Sequence, residues 1–241
     1  MHFAPTFDPG AILAARDAGH GHSATTRAVL LARLCGEDDC DALDWPIGLR
    51  DARLIALRRA WFGERIECLC ACESCGEPIE IDFEASQIAV PSAPIGASVE
   101  VTAQGRPWTA RVPTSRDLLG LERMRDMDDA RARLLSTLLP DADGPEPEAV
   151  GAIATALAQS DPQAEVLLDL RCPACGAAAT VPFDIAMYLW EEVDRWAEGT
   201  LDEVHMLARA YGWSEQAILA LPASRRAAYI ERAAVASGMM A

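Results

Sequence analysis

Four cysteines fall into two copies of one short pattern, Cys72-Glu73-Ser74-Cys75-Gly76 and Cys172-Pro173-Ala174-Cys175-Gly176. A C-x-x-C turn brings two sulfurs within reach of one ion, and the glycine that follows takes the positive-φ position of a tight turn. Taken singly, such a turn also suits a redox dithiol. Two turns with matching flanks point instead to a structural zinc site built from Cys72, Cys75, Cys172 and Cys175. Four thiolates fill a tetrahedral zinc and leave no position open for a substrate.

Each pair needs a scaffold, and the flanks describe one. With the second copy shifted back by 100 positions, Ile66 matches Val166 and Glu80-Ile81-Asp82-Phe83 aligns with Thr180-Val181-Pro182-Phe183. An apolar-alternating run precedes each knuckle, so the expected unit is strand, knuckle, strand, present twice. The alignment also separates ligands from bystanders. Cys68 and Cys70 fall where the second copy has Leu168 and Leu170, alternate positions of a strand, and read as core-facing residues. Cys35 and Cys40 flank Gly36-Glu37-Asp38-Asp39, whose acidic field disfavours a thiolate, and read as buried cysteines at a helix end.

About eighty residues separate the two units. Residues 88–97 carry prolines and read as a linker. Residues 98–102 and 107–112 alternate in character around Gln104-Gly105 and predict a hairpin. Thr114 with Asp117 is a variant capping box for a helix to Met124; further helices are expected over 128–139 and 148–158, with an exposed acidic loop over 140–147. The chain returns through Ser160-Asp161-Pro162.

Ahead of the first unit, the start rich in Pro, Gly and His predicts no regular element, and helices are expected over 24–35 and 49–62. The second of these places Leu54, Leu57 and Trp61 on one face and Arg50, Arg53, Arg58 and Arg59 largely on the other. After the second unit, Asp184 caps a helix with an Ile185, Leu189, Val193 and Trp196 stripe. Thr200 and Glu203 form a capping box that opens another helix; Tyr211-Gly212-Trp213 ends it, Ser214 caps a short one, and Pro222 lies in the first turn of the last. The expected fold is α+β: a four-cysteine zinc ribbon (64–87 and 166–183) split by an inserted α+β lobe (88–165), flanked by N-terminal (1–63) and C-terminal (184–241) helices.

The formal charge of the 241-residue chain is -16, and its arginines gather no further than the doublets Arg58-Arg59 and Arg225-Arg226. Binding to nucleic acid or to anionic membranes is therefore disfavoured. No secretory signal or long apolar span is visible, which predicts a cytoplasmic protein whose thiols stay reduced. Catalysis finds little support. Three of the four histidines lie in the first 22 residues, and His205, in Leu-Asp-Glu-Val-His, lacks the second histidine of a zinc-hydrolase helix. Phosphate-binding loops, nucleophile elbows and dinucleotide fingerprints are absent. The span 201–229 has the outline of a helix-turn-helix, but its second helix, Glu215-Gln216-Ala217-Ile218-Leu219, is acidic and apolar rather than basic.

That same span, together with Arg111-Val-Pro-Thr-Ser-Arg-Asp117, Asp161-Pro-Gln-Ala-Glu-Val-Leu-Leu-Asp169, both knuckles and Pro182-Phe-Asp-Ile185, resembles phage-type baseplate proteins. It is similar in particular to the T4-family baseplate hub assembly chaperones of contractile tails and contractile injection systems, over most of the chain from about Gly48. The resemblance implies a non-enzymatic assembly factor or minor structural component. Its expected partners are baseplate hub, spike or tube proteins, met in the cytoplasm or within a phage-like particle. Trp190, Trp196, Tyr211 and Trp213 are candidate contacts, with core packing as the other reading of each. The competing expectation is a zinc-ribbon adaptor in transcription or nucleic-acid metabolism.

Overall fold

The computed structural model describes residues 7–35, 40–139 and 146–236. The expected acidic loop lies largely outside them, as does the Gly36–Asp39 segment between Cys35 and Cys40.

The chain enters through a helix that its composition does not suggest, α1 (Pro9–Gly19). The helix-breaking residues sit where they do no harm. Asp8 accepts hydrogen bonds from the Gly10 and Ala11 amides, and Pro9 occupies the first turn, where its missing N–H has no partner to lose. Gly19 ends α1 against the Trp190 ring, where any Cβ would overlap the indole. Helices α2 (Ala24–Arg33) and α3 (Ile47–Phe62) follow. Gly63, at φ 90°, turns the chain out of α3.

Helix α3 corrects the expected division of faces. Arg50 and Arg58 are only 6% and 3% exposed, because α3 packs between α2, α7 (Ile185–Tyr211) and the return segment at 162–164, so that little of it faces water. Burial of a guanidinium requires a partner. Arg58 forks onto Glu192 of α7 through Nε and Nη2, both at 2.9 Å, and donates to the Gly63 carbonyl at 2.7 Å. Arg50 donates to Asp51 at 2.7 Å and to the Ser115 hydroxyl at 3.1 Å.

The main core joins Ile12, Leu31, Leu54, Leu57, Ile185, Leu189 and Val193 to Ile66 of the first hairpin, with Phe83, Val166, Leu168 and Phe183 packed against it. Between the two cysteine pairs lie the hairpin β3 (Ser98–Ala103) and β4 (Arg106–Arg111) and the helices α4 (Ser115–Leu121), α5 (Met127–Leu138) and α6 (Pro147–Ser160). Gln104 and Gly105 both have positive φ, as a two-residue hairpin turn requires. The Thr114–Asp117 capping box is present. Trp108, Ala110, Leu139, Ala149 and Ile153 form a second, smaller core here.

One buried carboxylate ties the departing and returning ends of this stretch together. Asp161 accepts from the Gly48 amide at the start of α3 and from the Ala93 amide, each at 2.8 Å, while Gln163 accepts from the Val90 amide at 2.7 Å. A Cβ on Gly48 would overlap the Asp161 carboxyl group.

Beyond the second unit, α7 is one 27-residue helix, about 40 Å long at 1.5 Å per residue. The expected break at Thr200 does not occur. Thr200 is buried, and Glu203 accepts instead from Arg226 of α9 (Ala223–Ala236) at 2.7 Å. Packing overrides a local capping pattern. Gly212 in the left-handed conformation ends α7, Ser214 caps the short α8 (Glu215–Leu219), and α9 closes the described chain.

Candidate metal centre

Strands β1 (Arg65–Ala71) and β2 (Pro78–Glu84) pair antiparallel, as do β5 (Val166–Arg171) and β6 (Ala178–Phe183). The two registers coincide position for position: Ile66 faces Phe83 as Val166 faces Phe183, and Cys70 faces Ile79 as Leu170 faces Ala179. Each hairpin closes on the same knuckle. The Cys72 amide donates to Glu77 O at 2.9 Å and the Gly76 amide to Cys72 O at 2.8 Å; Cys172 to Ala177 and Gly176 to Cys172 repeat this at 2.9 Å each. Gly76 and Gly176, at φ 76° and 75°, supply the left-handed turn that the spacing predicts.

The hairpins meet through side chains. At the base, Phe83 and Phe183 pack edge to face with ring centres 5.3 Å apart. The Tyr188 hydroxyl of α7 donates to Glu67 O at 3.1 Å and accepts from the Glu67 amide at 3.3 Å. Because Glu192, one turn further along α7, holds Arg58, the first hairpin is fixed to the same helix face as α3.

At the tips all four knuckle sulfurs lie within 4.8 Å of one another. Cys72 and Cys175 are 3.7 Å apart, and Cys75 and Cys172 3.8 Å. A tetrahedron of thiolates with metal–sulfur bonds of about 2.3 Å has edges of about 3.8 Å, and the two cross-hairpin sulfur pairs already stand at that length. Cys72 and Cys172 are buried and Cys75 and Cys175 exposed. Electrostatics point the same way. Cys75 accepts from the Glu77 amide, which favours its thiolate, but the hydrogen-bonded sulfurs of Cys175, Cys72 and Cys172, with some burial, push its thiol up to about 12. The Cys172 thiol, receiving the Cys175 amide and then the Ala174 amide, is drawn down to about 7 against its burial. Four sulfurs this close cannot all ionise unless a cation shares the site. The residues present therefore fit a metal ion.

Cys68 and Cys70 are half-buried strand residues opposite Ile81 and Ile79 and belong to no metal-sized group among the described residues. Cys70 packs beside Cys72, Ile79 and Cys172, and burial pushes the Cys68 thiol up. Cys35 is buried, with its thiol on the Arg53 carbonyl at 3.6 Å, and Cys40 is half-buried. His205 is exposed on α7 and belongs to no metal-sized group among the described residues. Of the aromatic residues that read as either contacts or core, Trp190 is core: it is 7% exposed and lies under Gly19 and Arg27. Trp196 is half-buried against the core, whereas Tyr211 is exposed and stacks on Trp213 at 4.7 Å. Arg226 is buried on Glu203 and the Leu221 carbonyl, so the Arg225-Arg226 doublet presents no paired basic surface.

The residues that fix the centre but carry no motif are Tyr188, Glu192 and Asp161. Asp161 has a faint signal as the first residue of an Asp-Pro turn; the other two are ordinary helix residues in the sequence. Among the described residues no helix is long and apolar enough to cross a membrane. Compared with known proteins, the chain matches no family, and no curated protein or solved structure is found similar to it.

Proposed function

We propose that the chain is a non-enzymatic assembly factor of the hub-assembly-chaperone type, or a minor structural component, of a phage-like contractile tail or contractile injection system baseplate. The observation that carries this reading is the resemblance of the 201–229 run, which spans the end of α7, α8 and the start of α9. Its partners are baseplate hub, spike or tube proteins.

In this reading Cys72, Cys75, Cys172 and Cys175 hold one structural zinc in a ribbon whose halves are separated in sequence by residues 88–165. Zinc, when bound, supplies a cross-link between the hairpin tips and no catalysis, since four thiolates fill its coordination. Phe83 and Phe183 align the hairpin bases, Tyr188 orients β1 on α7, and Asp161 latches the intervening stretch to α3.

The test is co-expression with baseplate hub, spike and tube proteins of a contractile tail, followed by purification at near-physiological salt. Retention of one of them at fixed stoichiometry is expected. Failure to retain any of them, with salt-sensitive DNA or RNA binding in their place, overturns the reading in favour of a nucleic-acid adaptor.

A further inference from the structure

The two hairpins share backbone register and knuckle geometry but not charge. From Arg65 to Glu84 the first carries Glu67, Glu73, Glu77, Glu80, Asp82 and Glu84 against one arginine; the matching span 165–184 carries three carboxylates and one arginine. Since both sequences build the same hairpin, folding does not call for the difference. Arg65 is consumed by Asp82 and Glu67 at 2.8 and 2.9 Å, while Glu73, Glu77 and Glu80 have no ion pair among the described residues.

Amid these carboxylates stands an apolar side chain. Leu69, opposite Glu80, is 69% exposed and lines an open dish of about 460 Å³ with Arg65, Glu67, Glu80 and Asp82. The edge of β1 beside it is open as well. Glu67 turns its amide and carbonyl away from β2 onto the Tyr188 hydroxyl. Strand alternation directs the main-chain groups of Leu69 and Ala71 to the same edge, where no described residue bonds them. An open edge invites a strand, and the carboxylates repel a second copy of this acidic chain while attracting a basic one.

We propose that the outer face and free edge of the first hairpin dock an extended, basic segment of a partner protein. It adds as a strand to β1 beyond Glu67, places one apolar side chain on Leu69 and sets its alternate basic residues beside Glu67 and Glu80. This assignment stands independently of the baseplate reading, because it rests on the hairpin and not on the C-terminal run.

The probe is a short, fluorescently labelled synthetic peptide alternating threonine with arginine and valine, titrated into the full metal-loaded chain. Saturable binding is expected that weakens about tenfold or more between low and high salt. Leu69→Thr and Glu80→Arg, both on a solvent face, should each weaken it by about tenfold, whereas Asp169→Arg on the second hairpin should leave it unchanged. A peptide N-methylated at alternate amides, which keeps its charge but cannot extend the sheet, should not bind. Absence of saturable binding, equal binding of the N-methylated peptide, or equal loss in Asp169→Arg would each overturn the proposal. Unchanged metal content of the variants excludes misfolding as the cause.

Discussion

The Cys72 sulfur lies 3.7 Å from that of Cys175, although the two residues are 103 positions apart. The reciprocal pair, Cys75 and Cys172, closes the same distance to within 0.1 Å from 97 positions apart. The pairing is crossed: each buried knuckle cysteine of one hairpin meets the exposed knuckle cysteine of the other. A metal held there links both hairpins at once, so losing one ligand should loosen the whole joint rather than one hairpin.

Cys68→Leu and Cys70→Leu should keep both metal and fold, since Leu168 and Leu170 occupy the matching positions of the second hairpin. Expected stability changes lie within about 1.5 kcal/mol, the range of small core repackings. Metal content and urea midpoints of the two variants check this.

Gly48→Ala should destabilise the protein by about 2 kcal/mol or more, because the added Cβ overlaps the Asp161 carboxyl group and the main chain of Ala164. Asp161→Ala removes the acceptor of two buried amides, at a cost of about 1 to 3 kcal/mol for each donor left unpaired. Limited proteolysis should then cut first near residues 88–97, which Asp161 and Gln163 hydrogen-bond to the return segment.

Arg58→Met should cost about 3 to 5 kcal/mol by leaving the largely covered Glu192 carboxylate without its partner. Joining it with Glu192→Leu should restore much of the loss, as apolar replacements of buried pairs do. A thermal unfolding double-mutant cycle reads this directly. If the double variant is as unstable as the sum of the singles, the two residues do not act as a pair.

Asp51 provides a pH test. Burial pushes its carboxyl up to about 6, against the pull of Arg50 and with help from the charges of Asp184 and Asp161. A folded-state value above the ordinary 3.8 means that the folded protein binds the proton more readily. Its favourable contribution is thus fully present below the ordinary value and lost as pH rises toward 6. The stability of Asp51→Asn relative to the parent should therefore rise by about 3 kcal/mol across that window, from a starting level lowered by leaving Arg50 without its carboxylate. Asp117 behaves oppositely. Burial raises its carboxyl, but Arg111 and the Thr114 amide outweigh that and hold it low, so its contribution is present at neutral pH and fades on acidification. Urea unfolding of parent and Asp51→Asn across this pH range gives the slope, and taking the difference cancels acid loss of metal common to both.

The paired cysteines were legible because a tight turn constrains its own residues: Cys, Gly and two-residue spacing suffice, with no reference to distant chain. The repeat then exposed the strands, since alternation is a local pattern as well. What stayed illegible depends on neighbours far along the chain. Nothing near Arg58 says that Glu192 will meet it, so Arg58 reads as part of a polar face with Arg59, and is buried while Arg59 stays exposed. Thr200 and Glu203 carry a sound local cap, yet the α7 interface buries Thr200 and gives Glu203 to Arg226. Trp190 reads as either contact or core until Gly19 is seen against its ring. Helix α1 was hidden by composition, because Pro9 and Gly10 count as breakers in a tally but lie in the first turn in fact.

The central claim is that Cys72, Cys75, Cys172 and Cys175 hold one structural zinc. The most direct measurement is metal analysis with X-ray absorption on protein purified under reducing conditions without chelator, beside the Cys175→Ser variant. The account predicts one zinc per chain ringed by four sulfurs at about 2.3 Å, and loss of both zinc and cooperative unfolding in the variant. Protein that carries no metal, or a Cys175→Ser variant that binds it as fully as the parent, would contradict it.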